Sequence, residues 1–124
     1  MEELLHYESP LQLNSGLATA PVGLPGGGVI AEGTFVTLGV GAANRDPAVW
    51  PDPERLEIGR KPNPQLAFGH GPHACAGLNV ARLKARVAIG RLLERFARID
   101  LRAAPESDPR VRLRVFRRLP VRVR

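Results

Sequence analysis

Five prolines fall between positions 47 and 64, at 47, 51, 53, 62 and 64. Proline offers no N–H to a helix or a ladder, so residues 41–67 can hold neither a long helix nor a central strand. The segment reads as an ordered meander or a linker, with turns favoured at Asp46-Pro47 and Asp52-Pro53. Arginines 45, 55 and 60 are more than a mere linker needs. The constraint extends to the whole chain, because 13 glycines and 12 prolines are a fifth of its 124 residues. A chain of this size buries only about two-thirds of the surface its unfolded form exposes. A bound cofactor or a partner chain would therefore help it fold.

The rest of the pattern predicts a mixed α+β chain of short strands and one long helix. Residues 1–8 read as the end of a helix with Leu4, Leu5 and Tyr7 on its apolar side, stopped by Ser9-Pro10. Within 11–40, Leu11-Gln12-Leu13 alternates, Val29-Ile30 is β-branched, and Gly33–Leu38 is the best strand. Gly26-Gly27-Gly28 marks a turn or flexible loop. After a glycine-rich loop at 68–77, a helix is predicted over 78–98. Ala81, Ala85, Ala88, Leu92 and Phe96 line its apolar face, with Ile89 and Leu93 beside them. Val111–Val115 and Val121–Arg124 alternate with arginine and predict two edge strands.

Composition excludes several classes. No apolar run approaches the roughly 20 residues of a membrane helix, and the acidic start, Met1–His6, lacks the pattern of a signal peptide. A cytoplasmic protein is the expectation. A single cysteine excludes an internal disulfide and a Cys-Cys zinc pair. Residues 1–81 carry 4 basic and 8 acidic side chains, whereas residues 82–124 carry 14 and 4. So basic a half suggests an acidic partner. Nucleic acid fits poorly, because only 5% of residues are aromatic and Phe96 and Phe116 are expected to be buried.

Cys75 is the most informative residue. It sits just before the long helix, where unpaired N–H groups and the helix dipole favour a thiolate. Such a sulfur is a nucleophile or a metal ligand. Glycines 69, 71 and 77 clear side chains from around it, so a large flat object can approach the backbone. His70 or His73 could act as a base, but no triad is marked. His70, His73 and Cys75 lie too close in sequence to make a good three-ligand zinc site. A purely structural cysteine remains the plain alternative.

The run Phe68-Gly-His-Gly71-Pro-His73-Ala-Cys75-Ala-Gly77 resembles the haem-binding loop of cytochrome P450, Phe-x-x-Gly-x-Arg/His-x-Cys-x-Gly, at every position. Ala43–Pro47 and Trp50–Leu56 resemble the meander of bacterial members. Glu2–Pro10 resembles the end of their K helix, and Leu119–Val123 their C-terminus. The resemblance covers nearly the whole chain but only about the last third of the family fold. It implies a partial P450 domain: K-helix end 1–10, β region 11–40, meander 41–67, haem loop 68–77, L helix 78–98 and C-terminal strands 99–124. The implied cofactor is haem b, iron protoporphyrin IX, with Cys75 as axial thiolate. Phe68 would pack beside ring and sulfur, Gly69, Gly71 and Gly77 would allow close approach, and His73 would reach a propionate. The N–H groups after Cys75 would tune the sulfur.

The departures carry equal information. The family's Glu-x-x-Arg reads Glu3-Leu4-Leu5-His6 here, with Arg55 as the expected meander arginine. Histidine cannot reproduce the five-donor guanidinium fork. A propionate-binding arginine of many bacterial members is replaced by Gly16. No residue is identified as catalytic, since the oxygen-activating helix lies upstream in the family and Thr19, Thr34 and Thr37 cannot stand in. The resemblance thus implies a haem-thiolate monooxygenase component that is inactive alone. It would be a degenerate P450, half of a split enzyme completed by a separate N-terminal chain, or a haem-sensing module. Arg82, Lys84 and Arg86 would face an acidic ferredoxin-type redox partner. The rival from another class is a basic nucleic-acid or protein-binding domain with a structural cysteine.

Overall fold

The computed structural model describes all 124 residues and is a mixed α+β structure. Helix α1 (Glu2–Tyr7) carries Glu2 and Glu3 in its first turn, where the helix dipole favours negative charge. Strands β1 (Leu13–Leu17) and β4 (Phe35–Gly39) pair antiparallel, Leu13 opposite Gly39 and Leu17 opposite Phe35. The hairpin of β2 (Val22–Gly23) and β3 (Val29–Ile30) is inserted between them. Its tip is the glycine run, with Gly27 and Gly28 both at φ +88°, where an L side chain would be strained.

A single turn, α2 (Val40–Ala43), leads from β4 into the meander. Residues 44–67 form successive turns without regular elements, as the prolines require. Helix α3 (Leu78–Arg95) follows the cysteine loop. The chain ends in two small antiparallel pairs. Strand β5 (Ile99–Leu101) pairs with β8 (Val121–Val123), and β6 (Glu106–Ser107) with β7 (Phe116–Arg118).

Three sequence expectations change. Val111–Val115 is not a strand. It crosses the start of the β1 region, where Leu113 makes an isolated bridge with Leu11 and Arg114 N–H donates to the Pro10 carbonyl. The alternation there reflects one edge contact rather than a ladder. Helix α3 ends at Arg95, short of residue 98, and buries none of its residues. Leu83 is 60% exposed, Val87 54% and Leu92 42%, so apolar side chains emerge on more than one side. A helix apolar on several faces is one meant to be enclosed. Phe116, expected inside, is exposed, and Phe96 is half-buried.

Only eight residues are buried: Glu3, Leu5, His6, Ser9, Val40, Asn44, Trp50 and Ala67. All precede the cysteine loop. The core is thus a small knot where α1 meets the meander, and half of it is polar.

Candidate functional site

The loop is shaped by its glycines. Gly69 and Gly71 adopt φ +75° and +70°, conformations that a side chain would strain. Between them and the helix, Gly71–His73 forms one 3-10 turn with Pro72 inside it. The Cys75 N–H donates to the Phe68 carbonyl at 2.8 Å and closes the loop on itself. The Cys75 carbonyl then accepts from the Leu78 N–H at 3.1 Å, which joins the loop to the first turn of α3. Cys75 is a free thiol, exposed at the surface. A Cβ added at Gly77 would stand 3.8 Å from its Sγ, so Gly77 lies directly beside the sulfur. Phe68 is half-buried, with the Arg82 guanidinium 5.2 Å above its ring. No group of three His, Cys, Asp or Glu side chains could hold a metal ion, and His70, His73 and Cys75 do not converge on one.

A cleft of about 490 Å³ opens between this loop and the β1–β4 pair. Gly69, His70 and His73 line it from the loop, and Asn14, Ser15, Gly16, Leu38 and Gly39 from the strands. Gly16 and His73, the residues that the resemblance links to propionates, therefore face one space. Nothing stands within 4 Å of where a Gly16 Cβ would be. His70 lines the same cleft; its spacing of three from His73 was the available signal. Asn14 and Ser15 carried no signal in the sequence, because only the ladder brings them to the loop. A flat macrocycle fits this donor set: an exposed thiol, glycine backbone on both sides and imidazoles at one edge. A second cavity, about 480 Å³, lies away from the cysteine, between β1 and residues 107–116.

Behind the loop sits a buried polar clamp centred on Glu3. Its carboxylate accepts from the Glu57 N–H at 2.8 Å, from Arg60 Nε at 3.2 Å and from Asn63 Nδ2 at 3.0 Å. The arginine that meets Glu3 is thus Arg60, not Arg55. Arg55 is exposed and contributes only its carbonyl, which accepts from Arg60 at 3.0 Å. Arg60 also donates to the carbonyls of Pro51 and Asp52 and so gathers the meander around itself. His6 lies inside the clamp, 1% exposed, with Nδ1 3.2 Å from a Glu3 oxygen and its ring 4.0 Å from that of Trp50. Neither His6 nitrogen makes a well-aligned hydrogen bond. Burial pushes His6 below the usual imidazole range, with the Glu3 carboxylate offsetting it in part. Burial alone would raise Glu3, but the Glu57 N–H and Arg60 outweigh it and hold the carboxyl below its usual range. Asn44 was not singled out in the sequence, yet it is fully buried and ties the two ends of the meander together: its Oδ1 accepts from the Leu66 N–H at 2.9 Å, two residues before the loop.

The basic face of α3 is smaller than the sequence suggests. Arg82 makes a two-pronged pair with Glu2, at 2.9 and 2.8 Å, and so fastens α3 to α1. Lys84 and Arg86 have no carboxylate partner. Glu94 pairs with Arg91, and Arg98 with Asp100.

A family model described as Cytochrome P450 matches residues 1–118. Cytochrome P450 107B1 of Saccharopolyspora erythraea is 45% identical over 98% of this chain. The biotin biosynthesis cytochrome P450 of Bacillus subtilis is 45% identical over 82% of it. The solved structure of P450BioI in complex with an acyl carrier protein ligated to hexadec-9Z-enoic acid superposes with a TM-score of 0.93, at 41% identity over 99% of this chain. The chain spans about a third of the first relative, a quarter of the second, and 32% of the solved chain. No helix is long and apolar enough to cross a membrane.

Proposed function

Since this chain belongs to the cytochrome P450 family, we propose that its 124 residues are the cysteine-side wall of a haem-thiolate monooxygenase site. In this reading they bind haem b and do not complete oxygen activation by themselves. The observation that carries it is the joint arrangement of an exposed Cys75 on a glycine loop and a cleft at that loop edged by His70 and His73.

Cys75 would hold the iron, and the bound group would supply thiolate-promoted O–O cleavage. The chain's own residues do the positioning. The Phe68 carbonyl fixes the Cys75 N–H and hence the direction of the side chain. Gly69, Gly71 and Gly77 keep Cβ atoms away from the ring's approach, and Phe68 would pack beside the ring and the sulfur. His73 would receive a propionate. Glu3, Arg60 and Asn44 hold the meander so that the loop keeps its shape. Arg60 fills the role expected of Arg55.

The exposed apolar residues of α3 support a remaining part of the fold that covers them, whether on the same polypeptide or on a separate N-terminal chain. The closed Glu3–Arg60 clamp argues against a decayed remnant, since its buried charges stay paired even with histidine at position 6. An acidic ferredoxin-type donor would meet Lys84 and Arg86, with Arg82 already committed to Glu2. A cytoplasmic location agrees with this reading. The rival haem-sensing reading draws on the same exposed thiol.

Haem titration of the purified chain, followed by reduction and carbon monoxide, tests the proposal. One equivalent of haem and a strongly red-shifted Soret band, both altered by Cys75→Ser, are expected. Failure to bind stoichiometric haem would overturn it.

A further inference from the structure

Strands β5 and β8 make a two-stranded sheet with unlike faces. Residues opposed across the ladder share a face, and the face alternates along each strand. Ile99 stands opposite Val123 and Leu101 opposite Val121, so one face is apolar. The other carries Asp100 opposite Arg122. Backbone bonds extend that face at both ends. Arg98 and Arg124 exchange N–H···O bonds at 3.2 and 3.0 Å, and the Arg102 N–H donates to the Pro120 carbonyl at 3.0 Å. Four arginines and one aspartate thus share a face. Arg98 pairs with Asp100 at 2.8 Å. Arg102, Arg122 and Arg124 are exposed, and none of them reaches a carboxylate. The neighbouring β6–β7 hairpin treats its arginines differently: Arg110 and Arg117 reach Asp108, and Arg118 reaches Glu106. A hollow of about 170 Å³ lies at the three unpaired arginines, lined by Asp100, Leu101, Arg102, Arg122 and Arg124.

We propose that this hollow binds a diphosphate group. Like charges opposed on a sheet face, as Arg98 and Arg124 are, cost stability, and a bound anion offsets that cost. Arg122 and Arg124 are two positions apart on one strand, about 7 Å between Cα atoms, and Arg102 lies diagonally across the ladder from Arg122. Their long stems let three guanidiniums turn toward one group between them. Each guanidinium is a planar fork suited to two phosphate oxygens. Asp100 opposes the anion only weakly, because Arg98 holds its charge. The size limits the ligand. The hollow has the liquid volume of about six waters, room for two phosphate groups but not for an attached sugar and base. No aromatic side chain lines it, so nothing there stacks a base, and a nucleic-acid strand is disfavoured. The site stands on the β5–β8 sheet and does not depend on the haem reading.

Calorimetric titration of sodium diphosphate into the full chain tests the assignment, with the folding of each variant checked by circular dichroism. One site is expected, about tenfold tighter for diphosphate than for inorganic phosphate and weakened by added salt. Arg122→Gln and Arg124→Gln should each weaken diphosphate binding about tenfold, the size of a lost charge-assisted hydrogen bond. Arg124 lies beyond Val123, the last residue of β8, so its variant keeps the strand if Arg122→Gln does not fold. Asp100→Asn should tighten binding. Arg55→Gln, at an exposed meander arginine that also lacks a carboxylate partner, should change nothing. Equal losses from Arg55→Gln and Arg122→Gln would mean general attraction to a basic chain and would overturn the proposal. Absence of diphosphate binding, or binding no tighter than that of phosphate, would overturn it too. So would a polyglutamate peptide that binds more tightly than diphosphate, which would make this face a dock for an acidic protein.

Discussion

The region around α1 and the meander and the region from the cysteine loop onward are built on opposite plans. The first holds every buried residue and closes its buried charges with short hydrogen bonds. The second contains the longest helix and buries nothing along it. The difference separates what this sequence stabilises by itself from what it presents to something else. A proline-rich segment with no regular structure is held against α1, because Arg60 and Glu3 replace the missing ladders with side-chain bonds to backbone groups. The regular helix depends on being covered.

Substitutions divide along the same line. Glu3→Ala should be the most damaging, since it removes the buried carboxylate from Arg60, leaving only the exposed Glu57 at 3.9 Å, and strips acceptors from Asn63 and the Glu57 N–H; a loss of about 3–5 kcal/mol is expected in urea unfolding. Leu5→Ala, in the small core, should cost about 2–3 kcal/mol by the same measurement. Acid should weaken the clamp next. His6 and Glu3 both bind protons less readily folded than unfolded. The His6 contribution is therefore complete above pH 6.5 and is lost as pH falls below that value, and the Glu3 contribution likewise below 4.5. The unfolding midpoint should fall on acidification from pH 8 to pH 4, and His6→Asn should flatten the upper part of that slope. A midpoint that rises would contradict the clamp.

Smaller effects belong to the other region. Arg82→Ala cuts the tie between α3 and α1, but both partners are about a third exposed, so under about 1 kcal/mol is expected. Leu83→Ala should change the chain's own stability by less than about 0.5 kcal/mol, because the side chain is already in water. It should instead reduce self-association in sedimentation, as apolar surface is removed. A large stability loss at Leu83 would erase the contrast between the two regions.

The cysteine loop was legible because its determinants are contiguous: the glycines, the histidines and the sulfur all fall within ten residues. The helix was legible from its period, but not its exposure, since periodicity reports which sides are apolar and not what covers them. Arg60 was missed in favour of Arg55 because a meander of turns has no period with which to rank two arginines five positions apart. Val111–Val115 looked like a strand because alternation also arises where a segment leans on one edge: Leu113 faces Leu11, while Arg112 and Arg114 reach Ser15 and Glu8. Asn44 gave no sign at all, for its importance comes from a partner 22 residues away.

Native-state hydrogen exchange on the isolated chain addresses the contrast most directly. The N–H groups of Glu57 and Leu66, held by Glu3 and Asn44, should exchange slowly, and those of α3 much faster despite its regular helix. Protection of α3 equal to or above that of the clamp would show that the helix needs no cover, and would contradict the account.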